Sequence, residues 1–181
     1  ADRPILLRVA ASGTPANISI QQPAKPSFPL LTYTIAANSS QSIDLTPYIN
    51  QIENGQANTV ANKGLLIRSD ALISCYYDFA NTANGDMYAL KGSNALGNQF
   101  TLPFQMELNN WIRTNGTYTT DFIIVATENN TTITITPKYD LLGHPARVSF
   151  DIILNRGETY TCTSTSNIGA AKPGGTLVRS N

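Results

Sequence analysis

His144 is the only histidine in the 181-residue chain; it lies between Gly143 and Pro145, with Asp140 four residues before it. Hydrolysis by a histidine–carboxylate pair needs a nucleophile held against the imidazole in a sheltered cleft. No HExxH, GxSxG or phosphate-loop pattern accompanies this histidine, and no acid pair suited to a glycan hydrolase can be singled out. His144 therefore reads as a loop residue and the chain as no enzyme. Asp78, Asn81, Asn84 and Asp86 place four oxygen-bearing side chains in one short loop, a hard-ligand set suited to Ca²⁺. The spacing is not that of an EF-hand and lacks its terminal bidentate Glu, so turn formation is the stronger reading. No other cofactor is suggested. Trp111, Tyr118 and Tyr76 offer aromatic area that could stack on a sugar ring or anchor a protein partner. Tyr77 shares its strand parity with Ile73 and Cys75 and so turns inward, which leaves Tyr76 facing out.

Cys75 and Cys162 each lie in a strand-like run on its inward side. They read either as two buried thiols or as one disulfide, the latter only if their strands are neighbours. Charged residues make up 13% of the chain, against roughly 25% in ordinary soluble domains. Thr, Asn, Ser and Gln stand in their place, a balance that suits an exported β-protein. Lys and Arg number 12, as do Asp and Glu, so no broad positive field exists to hold nucleic acid or an anionic membrane. No apolar run reaches the ~20 residues of a membrane-spanning helix. No basic, apolar leader opens the chain, which reads as processed or excised.

The elements that must position these residues are written twice. Ile18 and Ile133 stand 115 residues apart, Asn38 and Asn155 stand 117 apart, and Arg68 and Arg179 stand 111 apart. Alternating apolar residues over 5–9, 31–35, 65–67, 73–77, 122–127, 132–136 and 148–154 predict strands. Asn38–Gln41 is expected to close a hairpin between Leu31–Ile35 and Ile43–Leu45, and Asn155–Gly157 a second between Val148–Leu154 and Thr159–Thr163. Thr46 as N-cap, Pro47 at the first helical position and Gly55 past the end predict about two helical turns. Ser69 and Asp70 are expected to bond their own backbone at a corner. The fold class is all-β: an antiparallel β-sandwich built from two internal pseudo-repeats, with one or two short helical turns. The division expected is a first repeat over 1–80, a connecting segment with short strands over 81–117, and a second repeat over 118–181.

Four phrases taken together, KGLLIRSDALISCYYD from Lys63, Met87–Leu90 with Ala95–Gly97, FIIVATENNTTITITP from Phe122, and LNRGETY from Leu154, resemble the N-terminal domain family of the mucosal IgG Fc-binding protein. That family is also widespread in secreted and surface proteins of Bacteroidetes-type bacteria. The resemblance covers most of the chain and departs at Ala71–Leu72, where family members usually carry Lys-Pro. It implies an extracellular or cell-surface β-module that takes part in adhesion or recognition, with a protein or glycan partner at a cell or mucosal surface. It carries no Fc contact onto named residues. The family pattern has a further strand before Ala1, analogous to Gly97–Phe104, and another after Asn181, analogous to Ala71–Asp78. Either the chain is a fragment, the favoured reading, or neighbouring subunits fill both places and self-association through sheet edges builds a surface filament.

Overall fold

The computed structural model describes residues 4–82, 85–104, 108, 109, 112, 113, 116, 117 and 119–181. Two compact units interleave along the chain: Ala1–Glu53 with Leu65–Leu96, and Asn54–Gly64 with Gly97–Asn181. In chain order the first strands are β1 (Ile5–Ala11), β2 (Ala16–Gln21), β3 (Leu31–Ile35) and β4 (Ser40–Asp44). A helical stretch follows, with a 3₁₀ turn at Thr46–Tyr48 leading into α1 (Ile49–Ile52). Next come β5 (Val60–Ala61), which joins the second unit, then β6 (Leu66–Ser69), β7 (Ile73–Phe79) and β8 (Asp86–Ala89). The remaining strands are β9 (Gln99–Thr101), β10 (Ile112–Arg113), β11 (Gly116–Thr117), β12 (Asp121–Val125), β13 (Thr131–Thr136), β14 (Phe150–Leu154), β15 (Thr159–Thr163) and β16 (Leu177–Ser180).

Each unit is an antiparallel sandwich around its own core. In the first, the sheet β4-β1-β7-β8 and the sheet β3-β2-β6 enclose Leu7, Val9 and Cys75 from one side and Ile18, Ile20 and Ile35 from the other. The residues of β1 alternate between buried and partly exposed along its length, as a strand with one covered face must. In the second unit β12-β15-β5 and β14-β13-β16-β9 enclose Phe122, Tyr160 and Cys162 against Ile133, Ile135, Leu154 and Val178. Both cysteines are buried free thiols, one in each core. Burial pushes the Cys75 thiol up to about 11 and the Cys162 thiol up to about 12. Among the described residues no helix is long and apolar enough to cross a membrane.

The duplication extends to strand register. Ile18, Ser19 and Ile20 of β2 face Ser69, Arg68 and Ile67 of β6; Ile133, Thr134 and Ile135 of β13 face Ser180, Arg179 and Val178 of β16. β3 flanks β2 on its other side as β14 flanks β13.

Two expected hairpins are absent. β3 pairs with β2 and β4 with β1, so Ala36–Ser39 carries the chain from one sheet to the other. The same holds for β14 with β13 and β15 with β12. A reversal with one inward face is compatible with either pairing or arching, and strand parity does not separate the two. Thr46 is no N-cap: Leu45 occupies that position, and the Thr46 hydroxyl instead accepts the Ile5 N–H at 2.9 Å. The helix stops at Ile52, with Glu53 extended, three residues before Gly55. At the corner Ser69 does turn to its own backbone, accepting the Ala71 N–H, but Asp70 reaches across to β2. The stretch over 105–117, which has no strong periodicity, holds the two-stranded ribbon β10-β11.

The shared register makes a direct prediction. Ile20→Ala and Ile135→Ala remove fully buried side chains from corresponding sites, and each is expected to cost about 2–5 kcal/mol in urea unfolding. Ile153→Ala, at a side chain 63% exposed, is expected to stay within about 0.5 kcal/mol.

Candidate functional site

A concave surface lies on the outer face of β3-β2-β6. It is an open groove of about 440 Å³ lined by Asn17, Ser19, Thr32, Thr34, Arg68 and Asp70, with Ile18, Tyr33 and Ser69. Register explains its shape. Thr34 lies opposite Asn17, and the small residues Thr32 and Ser19 lie in one row with Arg68. The low middle of that row is flanked by longer side chains.

One end of the groove is a fixed polar network. Asp70 accepts the Asn17 N–H and the Asn17 Nδ2, both at 2.7 Å, while Asn17 Oδ1 accepts the Thr34 hydroxyl at 2.8 Å. The backbone bond from Asn17 holds the Asp70 carboxyl below its usual range, and the side-chain bond adds to this. The other end is Arg68, exposed and without an ion pair or hydrogen-bond partner among the described residues. In the second unit the matching row is Arg179–Thr134–Asp151, where Thr134 donates to Asp151 at 2.7 Å. An acid therefore shares the row of Arg179, while hydroxyls alone share that of Arg68.

Of the residues expected to carry binding or metal chemistry, the described ones, Tyr76, Asp78, Asn81 and Asp86, do not line this groove. Tyr76 is 40% exposed on the outer face of β7, between Arg8 and Ala89 on the neighbouring strands; Tyr77 turns inward against the core. Trp111 and Tyr118 lie outside the described residues, as does Asn84. Of the remaining oxygen ligands, Asp78 pairs with Arg8 Nε at 2.6 Å. Asp86 accepts the Met87 N–H and the Tyr88 hydroxyl at 2.8 and 2.7 Å. Asn81 stands in the loop between them. Among the described residues no three His, Cys, Asp or Glu side chains are placed to share a metal.

His144 stacks flat on Phe150 with centroids 3.5 Å apart, and its Nε2 lies 3.4 Å from the Tyr160 hydroxyl. Burial lowers its pKa. Asp140 accepts the Ala146 N–H instead of orienting the imidazole, so the pair holds a loop together. The LNRGETY phrase has a structural role too. Gly157 adopts φ +83°, the Asn155 N–H bonds Glu158 Oε2 at 2.6 Å, and Gly157 O accepts the Gly64 N–H. A Cβ on Gly64 would meet that oxygen at 2.7 Å, so only glycine allows the approach. The Arg68 groove could have been sought in the sequence only through the repeat, by asking where the two copies differ in charge.

Comparison with known proteins gives one match. The sequence profile of a family described as IgGFc binding protein matches residues 86–181, just over half of the chain. That stretch runs from β8 to β16; the first copy of the repeat precedes it. No curated protein and no solved structure matches the chain significantly.

Two outcomes are expected. Because Asp70 titrates below its unfolded value, its contribution is present above the ordinary carboxylate range and is lost as pH falls through the lowered folded value. Melting temperatures of the native chain and Asp70→Asn, recorded down the acid limb, should diverge in pH dependence only below about pH 4. Millimolar Ca²⁺ should leave the melting temperature of the native chain unchanged. A rise that saturates with Ca²⁺ would identify the loop from Asp78 to Asp86 as a metal site.

Proposed function

The chain belongs to the IgGFc binding protein family, and on that premise we propose that it is a non-catalytic recognition module of a secreted or cell-surface protein, of the adhesive kind found in bacteria. Its partner is a protein or a glycan at a cell or mucosal surface, and the contact is centred on the groove of the first unit. The observation that carries this reading is Arg68: a guanidinium without a counter-ion among the described residues, set beside a row of hydroxyls whose far end is locked by Asp70, Asn17 and Thr34. A preorganised polar surface loses little side-chain freedom on binding. A planar guanidinium can receive a carboxylate or a carbonyl in two-point fashion. Tyr76, on the outer face of the opposite sheet, is proposed as a separate aromatic contact, as are Trp111 and Tyr118.

A second reading has one observation in its favour. β6 and β12 are unpaired edges among the described residues, which fits a subunit of a surface filament assembled by strand exchange. Sedimentation velocity separates the readings: a monomer at micromolar concentration counts against the filament, and ordered fibres count against the simple module. The recognition reading is tested by immobilising the native chain and Arg68→Ala and passing over them the Fc fragment of immunoglobulin G and mucin glycans. Binding that weakens at least tenfold in the variant, with an unchanged melting temperature, is expected for one of these probes. Equal binding by both chains would remove the groove from the contact.

A further inference from the structure

We propose that Lys138, Arg147 and Lys172 form an anion site in the second unit, which receives the sulfate or carboxylate group of an acidic oligosaccharide. The site lies apart from the Arg68 groove, which belongs to the other unit, and rests on the recognition reading only in taking the partner to be a glycan.

Backbone bonds gather the three cations. Ile135 faces Phe150, and in the next row of the same two strands the hydroxyls of Thr136 and Ser149 meet at 2.8 Å. Two steps further in that register Lys138 comes level with Arg147, and the Arg147 N–H bonds Pro137 O at 2.7 Å. Lys172 arrives through a turn: the Thr176 hydroxyl accepts the Lys138 N–H, and the Thr176 N–H bonds Pro173 O. Lys138 and Arg147 are exposed and Lys172 is half-buried. None of the three has an ion pair among the described residues. Asp140, two residues from Lys138, spends its carboxylate on the Ala146 N–H at 2.7 Å.

Two features of this cluster work against folding. Asn38, Asn58, Asn130 and Arg147 are the described residues other than glycine that have positive φ. Asparagine tolerates the left-handed region through its short polar side chain. Arg147 holds φ +63° without that advantage, where glycine would meet no Cβ penalty. Like charges brought level across two strands also repel. A backbone outlier carrying a charge that folding does not ask for supports a role toward a ligand.

The neighbouring side chains favour a sugar over a peptide. Arg147 can hold a sulfate or a carboxylate at two points, with Lys138 and Lys172 as further donors. Along the same outer face the strands next present Thr136, Ser149, Thr134 and Asp151, the last accepting the Thr134 hydroxyl at 2.7 Å. Hydroxyls and a carboxylate can bond the hydroxyls of a sugar ring. A run of acidic residues would instead meet the charge of Asp151.

The test titrates the 181-residue chain by calorimetry with N-acetyllactosamine in neutral, sulfated and sialylated forms, and with an oligo-aspartate peptide. At least one acidic sugar is expected to bind at least tenfold tighter than the neutral one, and which of them does so identifies the anion. Arg147→Gly should weaken that binding at least tenfold while melting no lower than the native chain, a combination that a merely structural arginine would not give. Lys91→Gln, in the first unit, should bind as the native chain does. Absent binding, or binding indifferent to the sugar's charge, overturns the proposal. So does a loss shared by Lys91→Gln, or a lowered melting temperature of Arg147→Gly. Tighter binding of the peptide overturns it as well, since an acidic protein would then be the partner.

Discussion

Everything in either unit depends on a middle strand held in register on both sides. β2 is bonded to β3 and β6, β13 to β14 and β16, and the isoleucines at 18 and 20, 133 and 135 turn inward together. A slip of one residue would place those isoleucines in water and set Asn17, Ser19, Thr132 and Thr134 in the core. The penalty for that exchange, several kcal/mol by ordinary burial arithmetic, is what makes the pairing unique. Because the inward set is fixed, so is the outward one. The row of Arg68, Ser19 and Thr32 is the reverse side of the constraint that buries Ile18 and Ile20.

Duplication lets each unit serve as a control for the other. Asp70 and Asn181 occupy the same place and close it in the same way: Asp70 bonds the Asn17 N–H, and Asn181 Oδ1 accepts the Thr132 N–H at 3.1 Å. The backbone bond that closes the corner can thus be accepted by either a carboxylate or an amide oxygen. Arg68 and Arg179 likewise share a register position, yet only Arg179 has an acid in its row. The two copies thus keep one geometry while differing in the charge of this row.

The unpaired edges follow from the same comparison. β16 carries β9 where β6 carries no strand among the described residues, and β1 carries β7 where β12 carries none. An uncovered edge is a hazard unless it is blunted by charge, proline or a bulge. Ile123 and Val125 do none of these.

Local pattern sufficed for a good deal here. Alternation of apolar and polar residues marked the strands because a half-buried strand has period two, and the spacing of Ile18 with Ile133 and Arg68 with Arg179 disclosed the repeat. Parity turned Tyr77 inward and Tyr76 outward, and the family could be recognised from four short phrases. Other features lay beyond any local rule. Whether Asn38–Gln41 joins paired strands or crosses between sheets depends on which neighbour each strand finds, a long-range choice that residues on either side of a turn do not encode. The Thr46 hydroxyl accepts the amide of Ile5 and the Asp70 carboxylate that of Asn17, partners more than 40 residues away that no local rule identifies. The groove is of that second kind as well: it exists only once three separated strands lie side by side with their small residues in one row.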